Sequence, residues 1–502
     1  MRRHEHLVSF TKSALLDAIQ KASHGTDREP ETQARFLATY LQQRRPPPQT
    51  MLVESPYVDR HYLQEFVGYY ATKLTPPPHH TTRIHFFSAA YTQAAWKELL
   101  VRALDAPQAV EAELEGVYLG YVVVRPIATC PIGRTLLRPY EDHPSRFYEP
   151  ARTRHGVHLA GLTLLVSALP FQQQDEGLGA CATTALWTLL ARVLRADGGR
   201  AVTPLEVTAA AHGAQQHGGV LAASEGLDLD AMLRAIRGFG YVPHYFRMGD
   251  HAALFVLLIK SYLRSGVPVM LRYHVGGVLH AAAAVGYRES DDEEGAADLP
   301  IALGDESIGV RGLTRLYVHD DRLGPYARVI LRWRQDEERG LVLRVCFEPR
   351  ERGYEGFEEE LLLFDAVVGL YPKLRLTAQH LVGYVADFFP NVRTITAIER
   401  RAELRVEPYF EQGGDYLARL PRVLKDPDRN FEVRSAAFLS RYVGVIRFYV
   451  GEDWVCDFVL DTTDVRRDRQ RSPGLLLIIP ADLAAWHLVA DQLRTYYGTE
   501  LI

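Results

Sequence analysis

The stretch that decides the reading of this chain is "QQQDEGLGACATTALWTLLARVL", Gln172 to Leu194. Polar residues and glycines run up to a cysteine, and from Cys181 onward the apolar positions take on helical spacing. Ala182, Ala185, Leu186, Leu189, Leu190, Val193 and Leu194 recur at i, i+3 and i+4. This predicts a helix from Cys181 to about Ala196, with the thiol in its first turn. Free backbone N–H groups and the positive end of the helix dipole lie there, and both favour a thiolate, the nucleophilic form of cysteine. Gly177 and Gly179 let the preceding backbone turn tightly. On the thiol alone, a buried structural cysteine is the favoured reading of the position.

Composition narrows the classes. The chain has 502 residues, 47% of them hydrophobic and 24% charged, with a net charge of -5. These values describe an ordinary globular protein of several domains and give no basis for nucleic-acid or anionic-membrane binding. Cys130, Cys181, Cys346 and Cys456 are widely spaced and form neither a disulfide framework nor a zinc pattern. The N-terminus lacks the apolar core of a signal peptide, and no long apolar run is present, so the expected location is the cytoplasm.

Three regions are expected. Residues 1–165 read as a mixed α/β region of no evident role. It includes helical stretches ("LLDAIQKA", "ARFLATYLQQ", "VDRHYLQEFVGYYATKL"), proline breakers at Arg44–Gln49 and Thr75–His80, and a strand at Val117–Ile127. Residues 166–335 place helices first ("PLEVTAAAHGAQ", "LDLDAMLRAIRGFG", "AALFVLLIKSYLRSG") and strands afterwards ("PVMLRYHV", "LHAAAAVGYR", "TRLYVHDD", "ARVILRW"), an α+β order. Residues 336–502 add further α+β elements, including "LTAQHLVGYVADFF" and "DLAAWHLVADQLRTYY".

A cysteine nucleophile needs a base, and the base needs an orienting partner. In "PVMLRYHVGGVLHAAAAVGY", Gly276–Gly277 suits a two-residue hairpin loop. Val275 then pairs with Val278 and Tyr273 with His280, which sends His274 to the opposite face. The alanines after His280 permit close packing against a helix. In "TRLYVHDDRLGPY", alternation puts Asp320 on the apolar face with Leu316 and Val318, where it needs a hydrogen-bonded partner such as His280. The same alternation sends Asp321 to solvent beside Arg322. Asp305 in a glycine-containing turn is the alternative acid. The Cys181 N–H and a side-chain amide from Gln174 or Gln173 could form an oxyanion hole.

This order of Gln, Cys, His and Asp resembles the papain-like cysteine peptidases, most of all the C39-like branch that processes bacteriocin leaders. "QDEGLGACATTALWTLL", "VLHAAAAVGY" and "LYVHDDRLGP" carry the resemblance, except that Gln174 lies one residue further from the cysteine than in the family. Only the central region, about 165 of the 502 residues, is covered. The family's Cys-Gly-Pro is Cys181-Ala182-Thr183 here, its Asp-Pro is Asp320-Asp321, and its transporter domains are absent. The resemblance implies an α+β papain-like core and a Cys181–His280–Asp320 site with Gln174, acting on a peptide or isopeptide bond without cofactor or metal. A transglutaminase-like acyltransferase and an inactive papain-like scaffold in a multi-component bacterial system are the competing readings. The flanking regions could carry partner proteins.

Weaker signals keep bland expectations. His79, His80 and His85 lack partners at metal-ligand spacing. Arg125, Arg134 and Arg138 border strands and read as packed or paired. The acidic tract Glu289–Asp298 reads as a solvated loop, and "VLDTTDV" as a strand-ending turn. Cys130, Cys346 and Cys456 should be buried and inert.

Overall fold

A computed structural model describes residues 4–482 and Trp486, apart from 142, 176–180, 214–225, 250, 276, 290–298, 337–339, 348–359, 437–438 and 464–473. The fold is mixed α+β. Among the described residues, no helix is long and apolar enough to cross a membrane. The expected helix "DLAAWHLVADQLRTYY" lies, but for Asp482 and Trp486, outside the described residues.

The N-terminal region is built on a five-stranded antiparallel sheet in chain order: His4–Ser9, Thr50–Tyr57, Thr81–Phe87, Tyr118–Val124 and Ile132–Leu137. Helices Lys12–Ser23 and Thr32–Gln43 pack their Leu15, Ile19, Phe36 and Leu37 into the same core as Met51, Val53, Ile84, Phe86 and Val122. Leu52, Phe87, Tyr121 and Val123 point the other way, toward helices Gln93–Asp105 and Pro107–Val117 and the hairpin Arg154–Ser167. A sheet covered on both faces needs apolar residues at every position. That is why "YLGYVVV" is buried throughout.

The central region begins with helices Cys181–Ala196, Pro204–His212, Leu229–Gly238 and Ala252–Arg264. Antiparallel strands then follow at Val269–Val275, Val278–Glu289, Leu313–Asp320, Gly324–Asp336, Gly340–Phe347 and Leu361–Leu370. The last strand pairs back with the first, Met270 opposite Val367, so these six strands close on themselves as a barrel. Strand Val242–Arg247 extends the sheet beside Leu361–Leu370.

The boundary expected at 335/336 therefore falls inside a strand, and two barrel strands lie beyond it. Conversely, the hairpin Leu299–Val310 joins the C-terminal sheet through Gly309 and Arg405. That sheet continues through Leu404–Gln412, Tyr442–Val450, Asp453–Asp461 and Leu475–Pro480. The two regions thus exchange strands, and one connected core reaches from Leu15 to Trp486.

Candidate active site

Cys181 is the first residue of its helix. The helix is anchored at its middle turn: Thr188 Oγ1 donates to the Pro170 carbonyl at 2.9 Å and the Trp187 indole N–H to the Val202 carbonyl at 2.8 Å. It packs directly on strand Val278–Glu289. Cys181 is partly exposed, whereas Cys130, Cys346 and Cys456 are buried. Burial holds the Cys456 thiol well above its ordinary range.

The two strands have the expected register, with Val275 opposite Val278 and Tyr273 opposite His280, while Gly276 of the expected loop lies outside the described residues. His280 is buried and His274 is exposed on the other face. The run Ala281–Ala284 is buried, and its small side chains let the helix approach. The backbone N–H of Ala281 donates to Cys181 Sγ at 3.4 Å, which sets the thiol beside His280, and the thiol helps to raise the proton affinity of that imidazole.

His280 Nε2 lies 3.3 Å from Asp320 Oδ1 and 3.4 Å from Asp321 Oδ1. Both carboxylates are buried, at 0% and 5% exposure. This overturns the expectation that Asp321 points to solvent. Strand register slips between Val318 and Asp320, so simple alternation stops short of the pair. The face assumed to be wet is also covered by the N-terminal region. Tyr148 packs on Tyr317 with ring centroids 4.8 Å apart, and Gln33 Nε2 donates to the Asp321 carbonyl at 3.0 Å. Asp305 is exposed at the turn of the hairpin in the other sheet.

Asp320 is held from several sides. Tyr273 OH donates to its Oδ2, and the Arg322 N–H to its Oδ1 at 2.9 Å. The Arg322 guanidinium reaches both oxygens at 3.4 and 3.5 Å. Burial raises a carboxyl, but Arg322 and His280 outweigh it and hold Asp320 well below the usual range. Asp321 shows the opposite balance: burial and the neighbouring Asp320 push it up to about 6 against the pull of His280. For His280, burial disfavours the charged form, yet the two carboxylates prevail and raise it to about 10.

Of the three glutamines before Cys181, two are committed elsewhere. Gln172 Nε2 donates to Glu65 Oε1 at 2.7 Å, and Gln173 Oε1 accepts from the Ile132 N–H at 3.1 Å. Gln174 is half-buried and makes no side-chain hydrogen bond among the described residues. Residues 176–180, including the glycines before Cys181, lie outside those residues.

The other signals resolve into structure. Arg125 is buried, its Nε on the Cys130 carbonyl at 2.9 Å and its Nη2 on the Gln173 carbonyl at 3.1 Å, so it braces the segment leading to Cys181. Arg134 pairs with Asp59 at 2.9 Å, and Arg138 donates to the Glu115 carbonyl at 2.6 Å. His85 is buried between Tyr118 and Glu54. Asp461 closes the strand-ending turn on Thr463. Glu289 is buried against Lys260 at 2.6 Å, and the rest of the acidic tract lies outside the described residues.

Among the described residues, His280, Asp320 and Asp321 are the one group whose donor atoms come within 4.8 Å of one another. A cation fits there poorly, because the Arg322 guanidinium already neutralises Asp320 at hydrogen-bond distance.

Tyr273, Arg322 and Asp321 are site residues that the sequence reading did not assign a role. Tyr273 had a usable signal, since the hairpin register places it opposite His280. No protein-family model matches the sequence, and no curated protein matches it significantly.

Proposed function

We propose that this protein is a cysteine hydrolase with a papain-like core, cleaving a peptide or isopeptide bond. One observation carries the proposal: a partly exposed thiol opens a helix against the strand residue next to a buried histidine, whose Nε2 faces two carboxylates. This is the nucleophile–base–orienter arrangement that thiol acyl transfer needs. The packing of a cysteine-headed helix on an antiparallel barrel that carries the histidine supports the papain-like assignment.

In this reading His280 takes the thiol proton of Cys181 as Sγ attacks the carbonyl carbon and an S–C bond forms. The oxyanion is stabilised by the Cys181 N–H and the Gln174 amide. His280 delivers its proton to the nitrogen as the C–N bond breaks, leaving a thioester. His280 then takes a proton from water as it adds, the C–S bond breaks, and the acid departs. Asp320 keeps the imidazole aimed at the sulfur throughout.

The test is selective alkylation of the native protein with iodoacetamide, read by peptide mapping, alongside hydrolysis of a mixed peptide library. Cys181 labels ahead of the three buried cysteines, His280→Ala removes that advantage, and Cys181→Ala abolishes hydrolysis. Labelling of another cysteine with Cys181 silent would sink the proposal.

A further inference from the structure

Alternation along the N-terminal sheet puts Glu54, Arg83, Tyr121 and Arg134 on the face that also carries Leu52, Phe87 and Leu136. The apolar part of that face is covered by helices and by the hairpin Arg154–Ser167. The polar part lines a cleft of about 620 Å³, which His155 and His158 of the hairpin and Arg195 of the Cys181 helix also line. A space of that size suits a small organic ligand. A recess of about 70 Å³ adjoins it and shares Arg134, Leu136, His155 and Arg195 as lining. Pro170, Trp187 and Val202 give the recess apolar walls. His61 lines it too, buried with its ring 5.3 Å from Trp187 and its Nδ1 without a hydrogen-bond partner among the described residues.

The cations along this cleft are not equally occupied. Arg83 is spent on the protein: Nε on Glu54 at 2.7 Å, Nη1 on Tyr57 OH at 3.2 Å and Nη2 on the His158 carbonyl at 2.7 Å. Arg200 pairs with Glu206 at 2.8 Å. Arg134 pairs with Asp59 through Nη2 at 2.9 Å, but its Nε is buried with no hydrogen-bond partner among the described residues. Arg195 is exposed and makes no hydrogen bond or ion pair among them. Both of these guanidinium groups act on His155. Burial lowers its imidazole to about 4, and Arg195 and Arg134 add to that, against the Ala168 carbonyl bonded to its Nε2 at 3.1 Å. Two cations from different elements therefore converge on one part of the cleft with donors to spare, next to apolar walls.

We infer that this cleft binds a small organic anion, its phosphate or carboxylate head taken by Arg134 and Arg195 and its apolar body lying against Tyr57, Val58 and the Trp187 recess. Arginine suits such a head, because its planar fork matches two oxygens at once. The ligand contacts the last turns of the helix that Cys181 opens, at the end away from the thiol. The site is thus separate from the candidate active site, and its binding can be measured whether or not Cys181 is reactive.

The experiment is isothermal titration of the full chain with phenyl phosphate, benzoate and inorganic phosphate. One of the two organic anions binds saturably with a Kd below about 1 mM and at least about tenfold tighter than inorganic phosphate. Which of the two binds more tightly identifies the head. Arg195→Ala weakens that binding about tenfold or more, and Ala201→Trp, which puts an indole into both spaces, abolishes it. Arg195 and Ala201 are exposed, so both variants fold, and their thermal midpoints verify this. Arg237→Ala removes the same charge from an exposed helix position outside the cleft and leaves the affinity unchanged. Absence of saturable binding by both organic anions overturns the inference. So does equal affinity for inorganic phosphate, or an equal loss in Arg237→Ala, since either would mean general attraction to charge and not a built site.

Discussion

The backbone N–H of Ala281 donates to the sulfur of Cys181 at 3.4 Å, tying the first residue of a helix to the strand that carries His280. Such contact requires the helix to lie very close to the strand. His280, Ala282 and Ala284 share one face of that strand, and all are buried. The alanines therefore set the distance between Cys181 and His280. Ala282→Leu should push the helix outward, costing roughly 1–3 kcal/mol by overpacking. Iodoacetamide labelling of Cys181 should slow in proportion. Wild-type labelling in a variant with a lowered urea midpoint would show that the spacing does not govern the site.

Tyr273 and Arg322 share the task of satisfying Asp320. Tyr273→Phe removes one donor from a fully buried acceptor, at a cost of about 1–3 kcal/mol. The Arg322 donors remain, so turnover should fall less than in Asp320→Ala, where the ring loses its orienting acid. Denaturant midpoints and kcat for both variants check this. Equal loss of kcat would place Tyr273 in the chemistry rather than behind it.

Gly324 follows the turn that contains Asp320, Asp321 and Arg322. A Cβ there would collide with the ring of Phe36, a buried residue of helix Thr32–Gln43 in the N-terminal region. Gly324→Ala should destabilise by roughly 1–3 kcal/mol. It should also disturb the turn, so the His280 NMR signal should move with the thermal midpoint. A variant as stable as wild type would mean that this helix can shift, and that the N-terminal region does not brace the site.

Much of the site was legible because its signals are local. Helical spacing after Cys181 and a Gly-Gly loop between two apolar runs fix the nucleophile and the hairpin register within about ten residues each. The barrel was not legible. Its closing strand Leu361–Leu370 pairs with Val269–Val275, far back along the chain, and nothing local marks such a partner. Strands Thr50–Tyr57 and Thr81–Phe87 were hidden because Glu54, Arg83 and His85 interrupt the apolar pattern. Those groups are buried against one another, with Arg83 Nε on Glu54 at 2.7 Å. Asp321 was misread for a related reason, since Gln33, which binds its carbonyl, lies nearly three hundred residues upstream.

Gln174 is the glutamine of its run with no side-chain commitment among the described residues, between Gln173 and the buried Asp175, which accepts from Tyr70. If it stabilises the oxyanion, Gln174→Ala should lower kcat by about 10²–10³ while KM changes little. Gln173→Ala should act through stability instead, because its amide holds the Ile132 backbone. A fall in kcat for Gln173→Ala with Gln174→Ala unaffected would exchange the two assignments.

The charge on His280 also predicts how stability depends on pH. A histidine raised from 6.5 to about 10 binds its proton more tightly in the folded chain. Its contribution is fully present below pH 6.5 and is lost as pH rises through 10. His61, His155 and His244, lowered to about 4 by burial, and His319, lowered to about 3, act in the opposite sense. They stabilise above 6.5 and lose that contribution as pH falls toward their folded values. Asp321, raised to about 6, and Glu65, Asp387 and Glu411, also raised by burial, favour the folded state as pH falls and offset part of this loss. Stability should therefore peak near neutrality, fall below pH 6 through the buried neutral histidines, and decline between pH 7 and 8.5 chiefly through His280. Thermal midpoints measured across pH 5 to 8.5 test this, with His280→Gln as the decisive variant. It should flatten the alkaline slope and leave the acid slope intact. An alkaline decline that persists in His280→Gln would mean that the imidazole is not held charged in the folded protein.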